Sequence, residues 1–422
     1  MPMTRRRFLK GGLAVAALGT MGATMPSVMV RSLYAANAAP GPALQGAPAG
    51  GPRTLVVLQL GGGNDGLNAL PPFTSGAYHD LRPQLGLDES DGVAPIAEGL
   101  GLHPSLASLV PRWERGEMAI VQNVGYPEPD RSHFRSMAVW QTAQPAEAIE
   151  EGWIGRYLDF RAETGGDQWR AVGVDPGPSP AFRGGPFVPA VESIDGYTLQ
   201  ADPVYPRDQS SRLVAWQALH TAAGARTGSL PLLSRTGLEA FESMESLQAV
   251  AGDYAPMVAY PSGNPLAAAL QTVAQLIDAD LGTNIAYVTM GGFDTHAEEG
   301  DDHGPLLANV ASGLNAFLDD LAAHGRLDQV AVMAFSEFGR RAGENGSGGT
   351  DHGKAGPVFL FGSGLNGGLY GEAPDLRNLD DGDLRYSVDF RSVYASVLEG
   401  WLGSESEPVL LGKFETLPIF RA

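Results

Sequence analysis

The chain has no cysteine in 422 residues. That excludes disulfides, thiolate zinc ligands and a cysteine nucleophile. Any metal site must be assembled from eight histidines, from carboxylates, hydroxyls and water. Basic residues are also scarce, 28 Lys and Arg against 48 Asp and Glu. Five of them (Arg5, Arg6, Arg7, Lys10, Arg31) fall in the first 38 residues, which hold no acid, so the remainder carries 23 against 48, a formal charge of −25. Such a surface repels nucleic acid, whose binding needs clustered Lys and Arg, and no nucleic-acid partner is expected. Beyond the N-terminal segment there is no apolar run long enough to cross a bilayer, so no stable membrane span is expected after processing.

What is present begins with Thr4, Arg5, Arg6, Arg7, Phe8, Leu9 and Lys10, which resembles a twin-arginine export signal. An uncharged stretch from Gly11 to Val30 and the small residues Ala35, Ala36, Asn37, Ala38 and Ala39 complete the order of charged, apolar and cleavage regions. Residues 1–38 are therefore expected to be a signal peptide read by the twin-arginine translocase, and the product to be periplasmic or extracellular. Residues 39–52, nearly all Ala, Gly and Pro, read as a flexible linker. Residues 53–422 are expected to form one domain with an irregular insertion at about 165–260, in which Arg170–Arg207 is rich in Pro and Gly.

Within that domain, Thr54–Leu60 has the continuous apolar, β-branched character of a buried parallel strand and ends in Gly61-Gly62-Gly63-Asn64-Asp65-Gly66. Strands are also predicted at Met118–Asn123, Ile285–Met290, Gln329–Phe335 and Val358–Phe361. Helices are predicted at Ser105–Arg115, Ser136–Thr142, Leu306–Ala323 and Phe390–Leu402, with broken helical spacing over Leu213–Leu247. The order strand, helix, strand over 285–335 is a βαβ unit, so the fold class is α/β, a doubly wound, mostly parallel sheet flanked by helices. In such sheets ligands bind beyond the carboxyl ends of the strands.

Metal-binding residue types gather at those ends. Asp65 follows the first strand; Asp294, His296 and His303 follow the Ile285 strand; Glu337 follows the Gln329 strand; Asp351 and His352 sit in a Gly-rich loop. Mixed oxygen and nitrogen donors suit a divalent ion such as zinc or manganese, and bridging carboxylates suit two ions side by side. A second concentration, Pro127 to Arg135, precedes a helix and places Ser132 near its N-terminus with Arg131 and Arg135 beside it, a setting that stabilises an anion. A metal nearby would make the Ser132 hydroxyl a nucleophile.

The runs Gly62–Asn68, Arg131–Met137, Gly291–His296, Phe335–Arg341 and Thr350–Gly353 resemble those of domain-of-unknown-function family 1501, exported proteins within the alkaline phosphatase and sulfatase-like superfamily. The resemblance implies an alkaline-phosphatase-like fold and a two-metal site at which a hydroxyl attacks a phosphate or sulfate ester. Its ligand order falls on Asp65, Ser132 as nucleophile, Asp294 with His296 or His303, Glu337 and His352. The chain departs from the superfamily pattern in having Phe338, not His, after Glu337, and in the close spacing of Asp294 and His296. Sulfatases convert a Cys or Ser that has Pro two residues on and Arg four on; Ser132 has Phe134 and Ser136 there, which points to a direct serine nucleophile and an anionic phosphate-ester substrate, small or polymeric.

Plainer readings stand beside these. Asp65 and Ser132 both sit where helix caps occur. Gly61, Gly63 and Gly66 have dinucleotide-loop spacing, but no acidic partner follows a clear second strand. Of Arg340 and Arg341, one is expected to pair on the acidic surface. The alternative function is a secreted binding or assembly protein that keeps the fold with a degenerate metal site.

Overall fold

Strand β1 (Thr54–Leu60) lies at the centre of a sheet and is buried along its whole length. The structure, a computed structural model, describes residues 53–146, 149–162, 171–175, 177–197, 209–224, 230–250 and 254–421. The expected signal peptide and linker lie outside these residues, as do parts of the expected insertion.

The other strands are β2 (Ala94–Ala97), β3 (Leu100–Leu102), β4 (Met118–Gly125), β5 (Ala171–Gly173), β6 (Ile285–Met290), β7 (Val330–Phe335), β8 (Gly356–Phe361), β9 (Gly368–Tyr370) and β10 (Val388–Asp389). Eight form one sheet in the order β10-β4-β8-β7-β1-β6-β5, with β9 also on β4, while β2 and β3 make a separate hairpin. Pairings β1–β6, β1–β7, β5–β6, β4–β10 and β4–β9 are parallel. β8 runs antiparallel to both β4 and β7, so the sheet is mixed and mostly parallel. The chain therefore returns after β7 through the long loop 336–355, and that loop lies at the carboxyl edge of the parallel strands.

Side chains alternate across each strand. Leu55 and Val57 enter one core with Trp140, Tyr157 and Tyr394, whereas Val56, Leu58 and Leu60 enter another with Leu270, Leu314 and Phe317. Both faces are thus covered, as the unbroken apolar runs of β1 and β7 require. One face carries α1 (His133–Thr142), α2 (Trp153–Arg161) and α7 (Phe390–Ser396); the other carries α5 (Pro265–Asp278) and α6 (Glu299–Ala323). Helices α3 (Gln209–Gly224) and α4 (Leu230–Val250) come from the expected insertion, which also supplies edge strand β5.

Two helices differ from the sequence reading in ways that matter for the site. Helix α1 begins at His133, three residues earlier than expected, with Ser132 as its flanking residue. Helix α6 begins at Glu299, seven residues before the predicted Leu306, because Asp301 and Asp302 complement the dipole of its first turn. His303 is thereby carried into the helix and buried.

Candidate metal centre

The carboxyl edge is held by close backbone contact among three loops. Gly62 has φ +121, and a Cβ there would stand 2.5 Å from the Asp294 nitrogen; Gly63 has φ +76, and its Cβ would meet Phe338 at 2.3 Å. Only glycine fits both the angle and the space. Gly62 N–H donates to Glu337 Oε1 at 2.9 Å, and Asn64 N–H to Ser336 Oγ at 2.9 Å. The buried Arg340 completes the joint, donating to the carbonyls of Gly63 (2.6 Å), Gly62, Phe293 (2.8 Å) and Thr350 (2.8 Å) and to Asp294 Oδ1 (2.9 Å). A planar guanidinium can serve so many acceptors at once, where a lysine could not. This turn is therefore a joint in the sheet edge and not a dinucleotide loop.

On that edge His133, Asp294 and His352 bring one donor atom each within 4.8 Å of one another. They come from the start of α1, the loop after β6 and the loop between β7 and β8. His133 Nδ1 lies 2.8 Å from Glu337 Oε1, and His352 Nδ1 lies 2.8 Å from the Arg131 carbonyl. With Nδ1 donating to its oxygen, a neutral ring carries its lone pair on Nε2. His133 Nε2 is buried without a hydrogen-bond partner and stands 3.4 Å from Asp294 Oδ2. His352 Nε2 is 3.0 Å from Asp294 Oδ1 and 2.9 Å from His296 Nε2. His296 Nε2 in turn is 3.1 Å from Asp294 Oδ1, while its Nδ1 faces Asp351 Oδ1 at 3.3 Å. Burial pushes the Asp294 carboxyl up, but its contacts with His352 and Arg340 outweigh this and hold it at about 2.

Three imidazoles thus turn their Nε2 atoms toward one ionised carboxylate. Two lone pairs as close as those of His296 and His352 repel unless a proton or a cation lies between them. Donors around a tetrahedral zinc ion, about 2.0–2.1 Å from it, stand about 3.3 Å apart. His352 Nε2 to Asp294 Oδ1 at 3.0 Å and His133 Nε2 to Asp294 Oδ2 at 3.4 Å are close to that spacing, and the three donors lie within 4.8 Å of one another, so the triad can surround such an ion. Donation from Nδ1 to a carboxylate or carbonyl is the usual support of a metal-bound imidazole. The Phe338 ring packs against His133 and His352 at centroid distances of 5.0 and 4.6 Å, limiting their rotation.

Of the residues expected from sequence, Asp294 and His352 lie in the cluster, and His296 lies at its rim with Asp351 behind it. Glu337 does not face the centre; its oxygens serve Gly62, His133 and Ser336, and it orients His133. Asp65 must be corrected. Arg82 binds both its oxygens and Leu67 N–H donates to it, so it is a buried ion pair and helix cap. Burial alone would raise its pKa, but Arg82 holds the carboxyl well below the usual range. His303 must also be corrected: its Nε2 is 2.9 Å from Asn64 Oδ1, and burial lowers its pKa to about 4.

Ser132 is exposed, its N–H is taken by Asp130 Oδ1 at 2.7 Å, and its hydroxyl does not cap α1. Arg131 is drawn to Asp383, and Arg135 donates to the Pro145 carbonyl at 2.8 Å. Arg340 is the buried member of its pair and Arg341 the one facing the acids. His133 is not among the residues expected from sequence, although it follows Ser132 directly between a strand and a helix, the same setting as the other candidate ligands.

Residues 52–399 match the family described as "Protein of unknown function (DUF1501)". Residues 2–22 match the TAT (twin-arginine translocation) pathway signal sequence, so the chain is exported by that route. Among the described residues no helix is long and apolar enough to cross a membrane. No curated protein matches the chain. Among solved structures, it is similar to the integral membrane protein lipooligosaccharide phosphoethanolamine transferase A from Neisseria meningitidis, with 12% identity and a TM-score of 0.37, over 96% of this chain and 64% of that one. It is also similar to the PsFucS1 sulfatase from Pseudoalteromonas sp., with 12% identity and a TM-score of 0.32, over 77% and 65% of the two chains. A third is the alkaline phosphatase of the Antarctic bacterium TAB5, with 11% identity and a TM-score of 0.27, over 75% and 94%. The chain thus spans just under two thirds of the length of the first two, and no residue role passes from any of them to this chain.

Proposed function

A chain that belongs to the DUF1501 family takes no assigned chemistry from that membership, and from its own side chains we propose that this exported protein is a divalent-metal-dependent hydrolase of phosphate esters. His133, Asp294 and His352, with His296 at the rim, would hold the ion. The observation that carries this reading is the buried, unpartnered Nε2 of His133, aimed at an ionised carboxylate while its Nδ1 is fixed by Glu337.

An ion of the zinc or manganese type supplies Lewis acidity toward an ester oxygen. The chain does the rest. Glu337 and the Arg131 carbonyl fix the rotation and tautomer of two imidazoles, and Arg340 keeps Asp294 in place. Ser132, exposed and adjacent in sequence to His133, offers the attacking hydroxyl. Its oxygen would bond to phosphorus as the bond to the leaving alcohol breaks; its proton goes to water, and water protonates the alcohol. Hydrolysis of the phosphoserine then frees phosphate and restores Ser132.

The test is metal content together with turnover. The protein is expected to bind zinc or manganese and to cleave phosphomonoesters or diesters. His133→Ala is expected to lose metal and activity together, and Ser132→Ala to lose activity while keeping metal. A metal-free protein after growth with both ions overturns the centre. Wild-type activity in Ser132→Ala overturns the nucleophile.

A second reading rests on the number of donors. With His296 included, four protein atoms would close a tetrahedral shell and leave no position for substrate, as in non-catalytic sites. Bound metal without hydrolysis of any ester would favour this cation-holding binding or assembly protein.

A further inference from the structure

Four cations crowd one turn beside the imidazole cluster. Arg131 bonds Asp383. Lys354 Nζ lies 2.7 Å from Asp380 Oδ2 and 3.8 Å from Asp383 Oδ2. Arg385 Nη2 is 3.9 Å from Asp380 Oδ1, and Arg341 Nε is 3.9 Å from Asp383 Oδ1. In a chain with 28 basic residues and 48 acidic ones, such a gathering is not the average surface.

The three acids are not alike. Asp383 is fully buried, and its Oδ1 has no hydrogen-bond partner, so it anchors the cations from within. Asp381 has a side chain 82% exposed, and its Oδ2 lies 3.7 Å from Nη2 of both Arg131 and Arg341. That is beyond hydrogen-bond length to either. Its backbone is left-handed, φ +54, followed by Gly382 at φ +80, so the turn pushes this carboxylate out between two guanidinium groups. Both guanidiniums are about one-third exposed, with side-chain values of 34%, so a solute can reach them. Each is also wired to the metal centre. The Arg131 carbonyl accepts from His352 Nδ1 at 2.8 Å, and Arg341 N–H donates to the Asp351 carbonyl at 2.9 Å.

We infer that Arg131 and Arg341 form an anion-binding subsite that Asp381 fills in the free protein, and that the ester cleaved beside it carries a second anionic group, a carboxylate, phosphate or sulfate, which displaces Asp381. Two guanidiniums flanking one loosely held oxygen match the forked recognition of such groups. The subsite stands on its own geometry; only the word ester rests on the hydrolase reading.

The experiment is calorimetric titration of the metal-stripped protein with inorganic phosphate at constant ionic strength. Saturable binding is expected. Asp381→Asn is expected to tighten it about threefold, the scale of an exposed ion pair. Arg341→Ala is expected to weaken it about tenfold, the scale of a lost charge-assisted bond, and Arg341→Lys by less, since lysine keeps the charge without the fork. Absence of phosphate binding in both wild type and Asp381→Asn overturns the subsite, as does indifference of binding to all three substitutions. The hydrolase reading fails separately, when metal-loaded protein cleaves nothing. With metal restored, Asp381→Asn is expected to lower KM for a phosphomonoester bearing a carboxylate more than for p-nitrophenyl phosphate. Equal shifts for the two overturn the substrate class.

Discussion

Asp65 and Asp294 invite comparison, because they are the same residue type in loops that follow the adjacent parallel strands β1 and β6, and each is paired with a buried arginine. Asp65 is 1% exposed and meets Arg82 through both oxygens. Nothing is left over for a ligand. Asp294 has a side chain 48% exposed and gives Arg340 one oxygen, while the other faces His133. Position at a strand end therefore does not make a carboxylate a ligand; the number of its lone pairs already spent on the protein does. Glu299 extends the lesson. Burial, reinforced by the Asp65 charge, raises its pKa far enough that it stays protonated at neutral pH, so the interior pocket behind Asp65 is arranged for one negative charge and one Arg82.

The comparison breaks most directly at Arg82. Arg82→Met leaves Asp65 buried without its cation, and a loss of about 3–5 kcal/mol is expected, read as a fall in the thermal or denaturant midpoint. An unchanged midpoint would mean that the buried pair contributes nothing distinctive. Next comes Glu337→Gln, which keeps an acceptor for His133 but removes the charge behind it. About a tenfold loss of metal affinity is expected, with the fold intact. Asp294→Asn keeps an acceptor for Arg340 and is expected to cost only about 1 kcal/mol of stability while metal binding is lost. If its stability cost matched that of Arg82→Met, the two aspartates would not differ as described.

The smallest effect concerns a third strand-end carboxylate. Asp175 follows β5 and accepts from Thr289 N–H and Oγ at 3.1 and 2.9 Å, and burial raises its pKa from 3.8 to about 6 despite those bonds. A raised folded-state value means the native state holds the proton more tightly. Its contribution is present below about pH 4 and lost as pH rises through about 6. Asp175→Asn is expected to flatten the melting temperature over that window relative to wild type. Parallel pH curves for the two proteins would refute the assignment.

Much of the fold was legible in sequence. The unbroken apolar runs at Thr54–Leu60 and Ile285–Met290 appear as strands within the predicted bounds, and Val330–Phe335 begins one residue later than predicted. Such runs are demanded by a sheet covered on both faces, so the pattern carries the answer locally. The direction of β8 was not legible, because an apolar run such as Val358–Phe361 reads the same in either direction. Loop 336–355 could equally have preceded a crossover.

The site divides in the same way. Asp294, His296 and His352, which the structure brings close together, are legible as candidates because carboxylates and imidazoles at strand ends leave a local signature. Asp65 was placed among them because its partner Arg82 is seventeen positions away, and no local pattern announces that pairing. His133 was passed over because its role depends on Glu337, which lies 204 positions away.

By itself the sequence determined the export signal, the absence of thiolate chemistry, the acidic surface and the core strands, since each is a property of composition or of short-range periodicity. Only the tertiary structure decided which carboxylates were neutralised and which imidazole nitrogens were left without a proton or a partner. Those outcomes depend on hydrogen bonds between loops far apart in the chain, and a lone pair becomes available for a ligand only after every nearer donor has been counted.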